Sequence, residues 1–202
     1  PENYQEINAK DWDMSSISPT VFDYKGRRMV AASGKEGLVY LLDANQLGGQ
    51  DNRTPLFKSP RYSNPKGTFS GHGMWGAFAT WEDPGGERWL YVPSWGELAP
   101  SGSAFKSNGE VRGGAILAFK VVTDEETSHP RLQPIWTSRN MQVPEPPVIA
   151  NGMVFALSSG SNEDQVLADG TLDEERHKKP KGNAVLYAFD ALTGEELWSS
   201  GD

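Results

Sequence analysis

Hydrophobic and polar residues alternate over short segments of this chain, most clearly in residues 184–198, AVLYAFDALTGEELW. The alternation puts Val185, Tyr187 and Phe189 on one face of a strand, because successive side chains of a strand point to opposite sides. The Asp190 carboxylate can accept backbone N–H groups of the turn that follows. The closing letters, EELW, return as a second strand, so the segment predicts a β-hairpin.

Similar short strands and turns recur through most of the sequence. We predict strands at residues 17–22, 28–33, 38–43, 77–81, 88–93, 113–120 and 153–158, with residues 144–150 opening the hairpin whose return strand is 153–158, and turns between them that carry glycine, proline or asparagine. Strands joined by tight turns form an antiparallel meander, which is the unit of a β-propeller blade. No stretch has the length and apolar stripe of an amphipathic helix. The pattern therefore predicts an all-β fold.

The apolar third strand of the meander recurs, beginning at Leu38, Ala115 and Ala184. The intervals exceed a bare blade of about 40–50 residues, and the excess lies in polar insertions. We therefore expect about three partial, four-stranded blades of a single β-propeller domain. The blade-like units are placed at residues 11–64, 65–140 and 141–202.

Composition and charge exclude several classes of protein. The formal net charge of −8 argues against nucleic acid as a partner, since its phosphates would be repelled. No apolar run reaches the roughly 18 residues that a membrane span needs. The absence of cysteine excludes a disulfide framework, a C-x-x-C-H haem site and an iron–sulfur cluster in this piece. The chain begins at Pro1 rather than Met and stops just past Trp198, so we expect it to be cut from something longer.

The spacing A-x-D-x-x-T-G-x-x-x-W in residues 188–198 resembles the tryptophan-docking motif of quinoprotein, or PQQ-like, β-propellers. In that family the tryptophan packs against a neighbouring blade. Eroded copies stand at Asp43, where no tryptophan follows at the expected offset, and at Lys120–Trp136. Phe57 is a candidate for the missing packing role. The resemblance implies a propeller fold and an exported, periplasmic protein.

Two further segments resemble the quinoprotein alcohol dehydrogenases. Trp12-Asp13 precedes a strand of the S-P-T-V-F kind, and Lys35 opens a segment that ends in Leu-Asp at residue 43. The resemblance implies that Asp13 is the general base beside a calcium-bound pyrroloquinoline quinone (PQQ) and that Lys35 contacts the quinone. Such a carboxylate could take the alcohol proton while hydride moves to the quinone. The chain departs from the family in having Lys10-Asp11 before this step and Ser15 after it.

Two functions remain open at this stage. One is a PQQ-dependent oxidoreductase that acts on a small-molecule alcohol and passes electrons to an acceptor. The other is a non-catalytic propeller with protein partners, serving as a scaffold or subunit of a cell-envelope or membrane-associated complex. In the second case Asp13 caps a turn and Lys35 is a solvated turn residue. The docking motif is compatible with both, because it reports how blades pack.

Other residues with metal-binding chemistry carry weaker signals. His72, His129 and His177 are isolated in predicted loops, so we assign no metal ligand among them. The acidic residues 163–164 and 169–173 fail the EF-hand spacing, and we predict a solvated loop there. Among the tryptophans, Trp12 and Trp75 are the ones we expect near the propeller axis.

Overall fold

The computed structural model describes residues 3–12, 14, 16–64, 71–160 and 182–201. Within these ranges it contains one α-helix, one 3₁₀ helix and sixteen strands. They are α1 (Tyr4–Ala9), β1 (Ile17–Ser18), β2 (Thr20–Tyr24), β3 (Arg27–Ser33), β4 (Val39–Asp43), β5 (Phe57–Lys58), β6 (Gly73–Met74), β7 (Gly76–Ala77), β8 (Ala79–Glu82), β9 (Arg88–Trp95), the 3₁₀ helix Pro100–Ala104, β10 (Lys106–Ser107), β11 (Gly114–Thr123), β12 (Pro130–Thr137), β13 (Val148–Ala150), β14 (Met153–Ser158), β15 (Val185–Asp190) and β16 (Glu196–Ser199).

Three antiparallel meanders dominate the structure. Sheet 1 has the strand order β2-β3-β4-β5, and sheet 3 has the order β13-β14-β15-β16. Sheet 2 has the core order β8-β9-β11-β12, to which β6 is added beside β9 and β10 beside β12. A short parallel pair, β1 with β7, joins the segments that lead into sheets 1 and 2.

The first strands of the three meanders lie next to one another. Strand β8 of sheet 2 contacts both β2 of sheet 1 and β13 of sheet 3. Sheets that meet along their first strands and fan outward are the blades of a propeller. The fold is therefore all-β and of the β-propeller type, with three blade-like sheets, as the sequence predicts.

Two hydrophobic layers hold the sheets together. One layer, between sheets 1 and 2, includes Leu117 and Phe119 of β11. The other, between sheets 2 and 3, includes Ile116 and Ala118 of the same strand. Because alternate side chains of a strand point to opposite faces, β11 is buried on both sides. This explains why its sequence is a continuous apolar run rather than an alternating one.

The same serine contact closes the outer strand of each sheet. The Ser59 hydroxyl accepts the backbone N–H of Val39 at 2.8 Å, while the Ser59 N–H donates to the Val39 carbonyl. Ser138 makes the same pair of bonds with Ile116, and Ser200 makes them with Leu186. This contact fixes the structural register of the three repeats independently of the tryptophans.

A short helix at the start of the described chain is absent from the sequence prediction. Helix α1 spans Tyr4–Ala9, buries none of its residues and carries one i,i+4 ion pair from Lys10 to Glu6 at 2.9 Å. It was missed because it lacks the apolar stripe that marks a helix in a sequence. In the described part of the chain, no helix is long and apolar enough to cross a bilayer.

Candidate functional site

Lys35 occupies the turn between β3 and β4, and only 8% of its surface is exposed. Its ammonium Nζ lies 2.6 Å from the Asp11 carboxylate oxygen Oδ2. Asp11 belongs to the segment that follows α1, and its own side chain is half exposed, at 49%. The ion pair therefore ties the chain that enters sheet 1 to a turn at the end of that sheet.

A glycine-rich segment packs directly against the Lys35 turn. A Cβ on Gly73 would lie 2.5 Å from the Lys35 Cα atom, and Gly73 has φ of +88°, so a larger residue fits neither the space nor the backbone. The Gly73 N–H donates to the Ser63 hydroxyl at 2.6 Å. The turn that carries Lys35 is thus held by the Asp11 ion pair at the lysine side chain and by Gly73 against the lysine backbone.

Two tryptophans lie beside the lysine. The Lys35 Nζ is 5.3 Å from the ring centroid of Trp75. The Trp75 ring stacks on Trp95 at a centroid distance of 4.6 Å and an interplanar angle of 14°. Both indole N–H groups donate to backbone carbonyls, that of Trp75 to His72 at 2.7 Å and that of Trp95 to Pro144 at 3.0 Å. The aromatic pair is therefore fixed in place by the main chain.

Trp12, which immediately precedes the predicted base, is buried beneath cationic side chains. Its indole N–H donates to His72 Nε2 at 2.8 Å, and both residues are almost fully buried. Accepting this bond requires His72 Nε2 to be unprotonated. The Arg61 guanidinium lies 4.4 Å, and the Lys10 ammonium 4.2 Å, from the centre of the Trp12 ring. His72, an isolated loop residue in the sequence, is thus part of a buried hydrogen bond.

The structure brings only part of the predicted site into view. Asp13, the predicted base, lies outside the described residues, as do residues 163–164 and 169–173 of the acidic loop. The role of Asp13 therefore stays a prediction, and so does the role of Lys35 as a quinone contact. The sequence did not single out Asp11 as a partner of Lys35, since nothing in the local pattern links two residues in separate turns.

The contacts of Lys35 and Trp75 bear on whether a quinone fits here. The Lys35 ammonium already has a carboxylate partner where the resemblance implies quinone oxygens. Trp75 already contacts Trp95 and Lys35. As arranged, the described side chains of Lys35 and Trp75 are therefore in contact with protein groups. Among all the residues that the structure describes, no group of three or more histidine, aspartate or glutamate side chains could hold a metal ion.

A second well-defined feature is the contact between sheets 2 and 3. Trp136 of β12 is completely buried, and its indole N–H donates to the Ala191 carbonyl at 3.0 Å. A Cβ on Gly194 would lie 2.5 Å from the Trp136 ring, so the ring packs directly on the glycine backbone. The Tyr91 hydroxyl donates to the same Ala191 carbonyl at 3.0 Å. The Asn108 side-chain amide Nδ2 donates a hydrogen bond to the Thr193 carbonyl at 3.1 Å.

The turn that receives Trp136 is the one predicted from the sequence. The Asp190 carboxylate accepts the backbone N–H groups of Leu192 and Thr193 at 2.9 and 2.8 Å. The Gly194 N–H donates to the Asp190 carbonyl at 2.9 Å. These bonds hold the Ala191 carbonyl and the Gly194 backbone in the positions that the indole needs.

Trp198, the tryptophan of the intact motif, behaves differently from Trp136. It lies on β16 with 51% of its surface exposed, and it packs against no neighbouring sheet in the described part of the chain. The two halves of the motif therefore act separately here. The Asp190–Gly194 turn receives a tryptophan from sheet 2, while Trp198 points away from that contact.

Phe57 stands at the corresponding position of sheet 1. It pairs with Leu41 in the register in which Trp136 pairs with Ala118 and Trp198 with Ala188. Phe57 packs against the layer between sheets 1 and 2, which matches the role that the sequence suggested for it.

No protein-family model matches the chain, and no curated protein matches it. Among solved structures the chain is similar to BamB from Moraxella catarrhalis, with a TM-score of 0.44 and 17% sequence identity. The likeness covers 91% of this chain and 35% of the BamB chain, so the present chain spans about a third of that protein's length.

Proposed function

We propose that this chain is part of a non-catalytic β-propeller that serves as a scaffold or subunit of an exported, cell-envelope protein complex. The single observation that carries the proposal is the contact between Lys35 and Asp11. The Lys35 side chain is 10% exposed and its ammonium lies 2.6 Å from a carboxylate. A nearly buried lysine whose ammonium is already paired with a carboxylate is not available as it stands for a cofactor.

The overall charge supports protein rather than nucleic acid as the partner. The formal net charge is −8, and a surface of that sign repels a phosphate backbone. Propellers place loops from every blade at the ends of the sheets, which suits them to protein contacts without any chemistry at the axis.

The test is a direct binding measurement with PQQ and calcium chloride. The full chain, Lys35→Met and the control Lys106→Met, which alters a lysine on the exposed strand β10, are each dialysed against the quinone. The proposal predicts that none of the three retains PQQ. Stoichiometric retention by the parent and Lys106→Met, lost in Lys35→Met, would overturn the scaffold proposal.

The second candidate is a PQQ-dependent alcohol dehydrogenase with Asp13 as base and Lys35 as quinone contact. The specific observation in its favour is the position of the Lys35 ammonium 5.3 Å from the Trp75 ring, since a cation beside an aromatic plane suits a flat, anionic ligand. Adoption of this role requires Asp11 to release Lys35. The test is dye-linked oxidation of several alcohols with added PQQ and calcium. Activity abolished by Asp13→Asn would support it, and no activity with any alcohol would reject it.

A further inference from the structure

The sequence contains two Asn-Gly pairs, at residues 108–109 and 151–152. Asparagine is among the chemically labile residues. In an Asn-Gly pair the backbone nitrogen of the glycine can attack the asparagine side-chain amide, because glycine has no side chain to shield that nitrogen. The folded chain controls this reaction through its contacts with two groups, the amide that leaves and the nitrogen that attacks.

In the pair Asn108-Gly109, which follows β10, both reacting groups are hydrogen-bonded. Asn108 Nδ2 donates to the Thr137 carbonyl at 2.9 Å and to the Thr193 carbonyl at 3.1 Å, which uses both protons of its amide. The Gly109 N–H donates to the Ser107 hydroxyl at 3.1 Å. Reaction at this pair therefore requires three hydrogen bonds to break first.

The pair Asn151-Gly152 forms the two-residue turn between β13 and β14, where Ala150 pairs directly with Met153. Both turn residues have positive φ, +51° and +73°, as in the tight hairpin turns that this dipeptide favours. The Asn151 side chain is exposed. Within the described residues, neither its amide nor the Gly152 N–H has a hydrogen-bond partner. Both reacting groups are therefore free.

We propose that Asn151 is a site of spontaneous deamidation in this protein and that Asn108 is protected from the same reaction. The Gly152 nitrogen bonds to the Asn151 Cγ atom, the Cγ–Nδ2 bond breaks, and ammonia leaves with the proton of the Gly152 N–H. Water then opens the cyclic imide at one of its two carbonyl carbons. Opening at Cγ gives aspartate, and opening at the backbone carbonyl carbon gives isoaspartate, whose main chain is one atom longer. This site goes beyond the proposed scaffold role and does not depend on it.

The longer main chain of isoaspartate acts on the interface of sheets 2 and 3. The Gly152 carbonyl accepts the Ala191 N–H at 3.0 Å. The carbonyl of the same Ala191 accepts the Trp136 indole N–H and the Tyr91 hydroxyl, each at 3.0 Å. Lengthening the turn at Asn151 moves Gly152 relative to Ala191, so the modification weakens the contact that holds the Trp136 indole.

The first experiment compares the two asparagines within one sample, so that each is the control for the other. The 202-residue chain is incubated at mildly alkaline pH, digested, and mapped by mass spectrometry for conversion of amide to acid at each site. In the folded chain we expect Asn151 to deamidate at least about tenfold faster than Asn108, because hydrogen bonds protect the latter. In guanidinium chloride the two rates are expected to become similar, because unfolding removes those bonds.

Ser107→Ala provides a variant that changes one protecting bond. It removes the acceptor of the Gly109 N–H, so we expect faster deamidation at Asn108 and an unchanged rate at Asn151. Equal rates at the two sites of the folded parent chain, or no reaction at Asn151, would overturn the proposal. A difference of the same size that persists in guanidinium chloride would also overturn it, since the fold would then not be its cause.

A second measurement separates the longer main chain from the added charge. Asn151→Asp introduces the carboxylate without lengthening the main chain. The isoaspartate form is isolated from the incubated chain by chromatography, and exchange of the Trp136 indole N–H with deuterated water is followed by NMR in both proteins. We expect the indole to exchange at least about threefold faster in the isoaspartate form. Equal rates would contradict the coupling through Gly152 and Ala191.

Discussion

Trp136 and Trp198 occupy equivalent positions in adjacent sheets but have opposite environments. Each lies opposite an alanine on the neighbouring strand, and each is followed by the same serine contact. Trp136 is completely buried and donates its N–H to sheet 3, whereas Trp198 is 51% exposed. Equivalent local structure therefore does not determine how far each tryptophan is buried. Trp136 is buried because the turn from Asp190 to Gly194 of sheet 3 packs against it.

The comparison also separates two kinds of contact in the molecule. The interface of sheets 2 and 3 combines apolar packing with side-chain hydrogen bonds to two backbone carbonyls, those of Ala191 and Thr193. The contact between Lys35 and Asp11, at the turn between β3 and β4, is by contrast an ion pair in which the Asp11 side chain is half exposed. Burial of large apolar side chains contributes several kcal/mol to the free energy of unfolding, while a partly exposed ion pair contributes little. The stability of the chain is therefore expected to depend mainly on the interface.

The largest expected effect is that of Trp136→Ala. Removing this side chain leaves a cavity between sheets 2 and 3 and the Ala191 carbonyl without the indole bond. We expect a loss of about 3–5 kcal/mol in the free energy of unfolding. The measurement is urea denaturation of parent and variant. A loss no greater than that of Trp198→Ala would show that the two positions are equally free of the interface.

Gly194→Ala is expected to cost less, about 2–4 kcal/mol, from backbone strain and overpacking together. Gly194 has φ of +72°, and an added Cβ would lie 2.5 Å from the Trp136 ring. Gly152→Ala is the matched control, because Gly152 has φ of +73° with no atom within 4 Å of the added Cβ. The control therefore carries the backbone strain alone, at about 1–2 kcal/mol. Equal losses in the two variants would mean that the ring does not pack on Gly194.

Tyr91 makes the interface sensitive to alkaline pH. Burial raises the pKa of the Tyr91 hydroxyl, with a further contribution from the charges of Asp83 and Asp190. An unfolded tyrosine ionises near pH 10, while the folded one keeps its proton to higher pH. The stabilising contribution is therefore complete below about pH 10 and is lost as the pH rises above it.

The corresponding variant is Tyr91→Phe. It removes one bond to Ala191, whose carbonyl keeps its bond from Trp136, so we expect a loss of about 1 kcal/mol at neutral pH. Above about pH 10 the variant should lose stability less steeply than the parent. Urea melts across the alkaline range measure this, with Tyr4→Phe at an exposed position as control. Identical alkaline slopes for parent and Tyr91→Phe would contradict it.

The smallest expected effect is that of Trp198→Ala. Its side chain is half exposed and has no neighbouring sheet among the described residues, so we expect a loss below about 1 kcal/mol. The same urea melts provide the number. A loss approaching that of Trp136→Ala would mean that Trp198 is covered in solution.

Much of the fold could be predicted from the sequence because it is written in short-range patterns. The alternation in β15 predicts the buried face of Val185, Tyr187 and Phe189, and all three lie in the layer between sheets 2 and 3. The Asp190 turn follows from residue chemistry alone. Strand ends were less well predicted, and β9 extends to Trp95.

The candidate site could be predicted only in part, since its contacts join distant segments. Lys35 is a turn residue by its local sequence, yet it is buried because Gly73 packs on its backbone and Asp11 reaches its ammonium. The exposure of Trp198 could not be predicted from the sequence either. The motif contains both a turn that contacts a tryptophan and a tryptophan, but its spacing does not show that the turn contacts Trp136 of sheet 2 rather than Trp198. Both outcomes depend on tertiary contacts that no local pattern encodes.

The most direct test of the difference between the buried Trp136 and the exposed Trp198 is hydrogen exchange at their indole N–H groups in the unmodified chain. The resonances of Trp136 and Trp198 are assigned with the two Trp→Phe variants and followed by NMR after transfer to deuterated water. We predict that Trp136, bonded to Ala191 at 3.0 Å, exchanges at least about a hundredfold more slowly than Trp198. Equal rates for the two indoles would contradict the assignment of one covered and one open face.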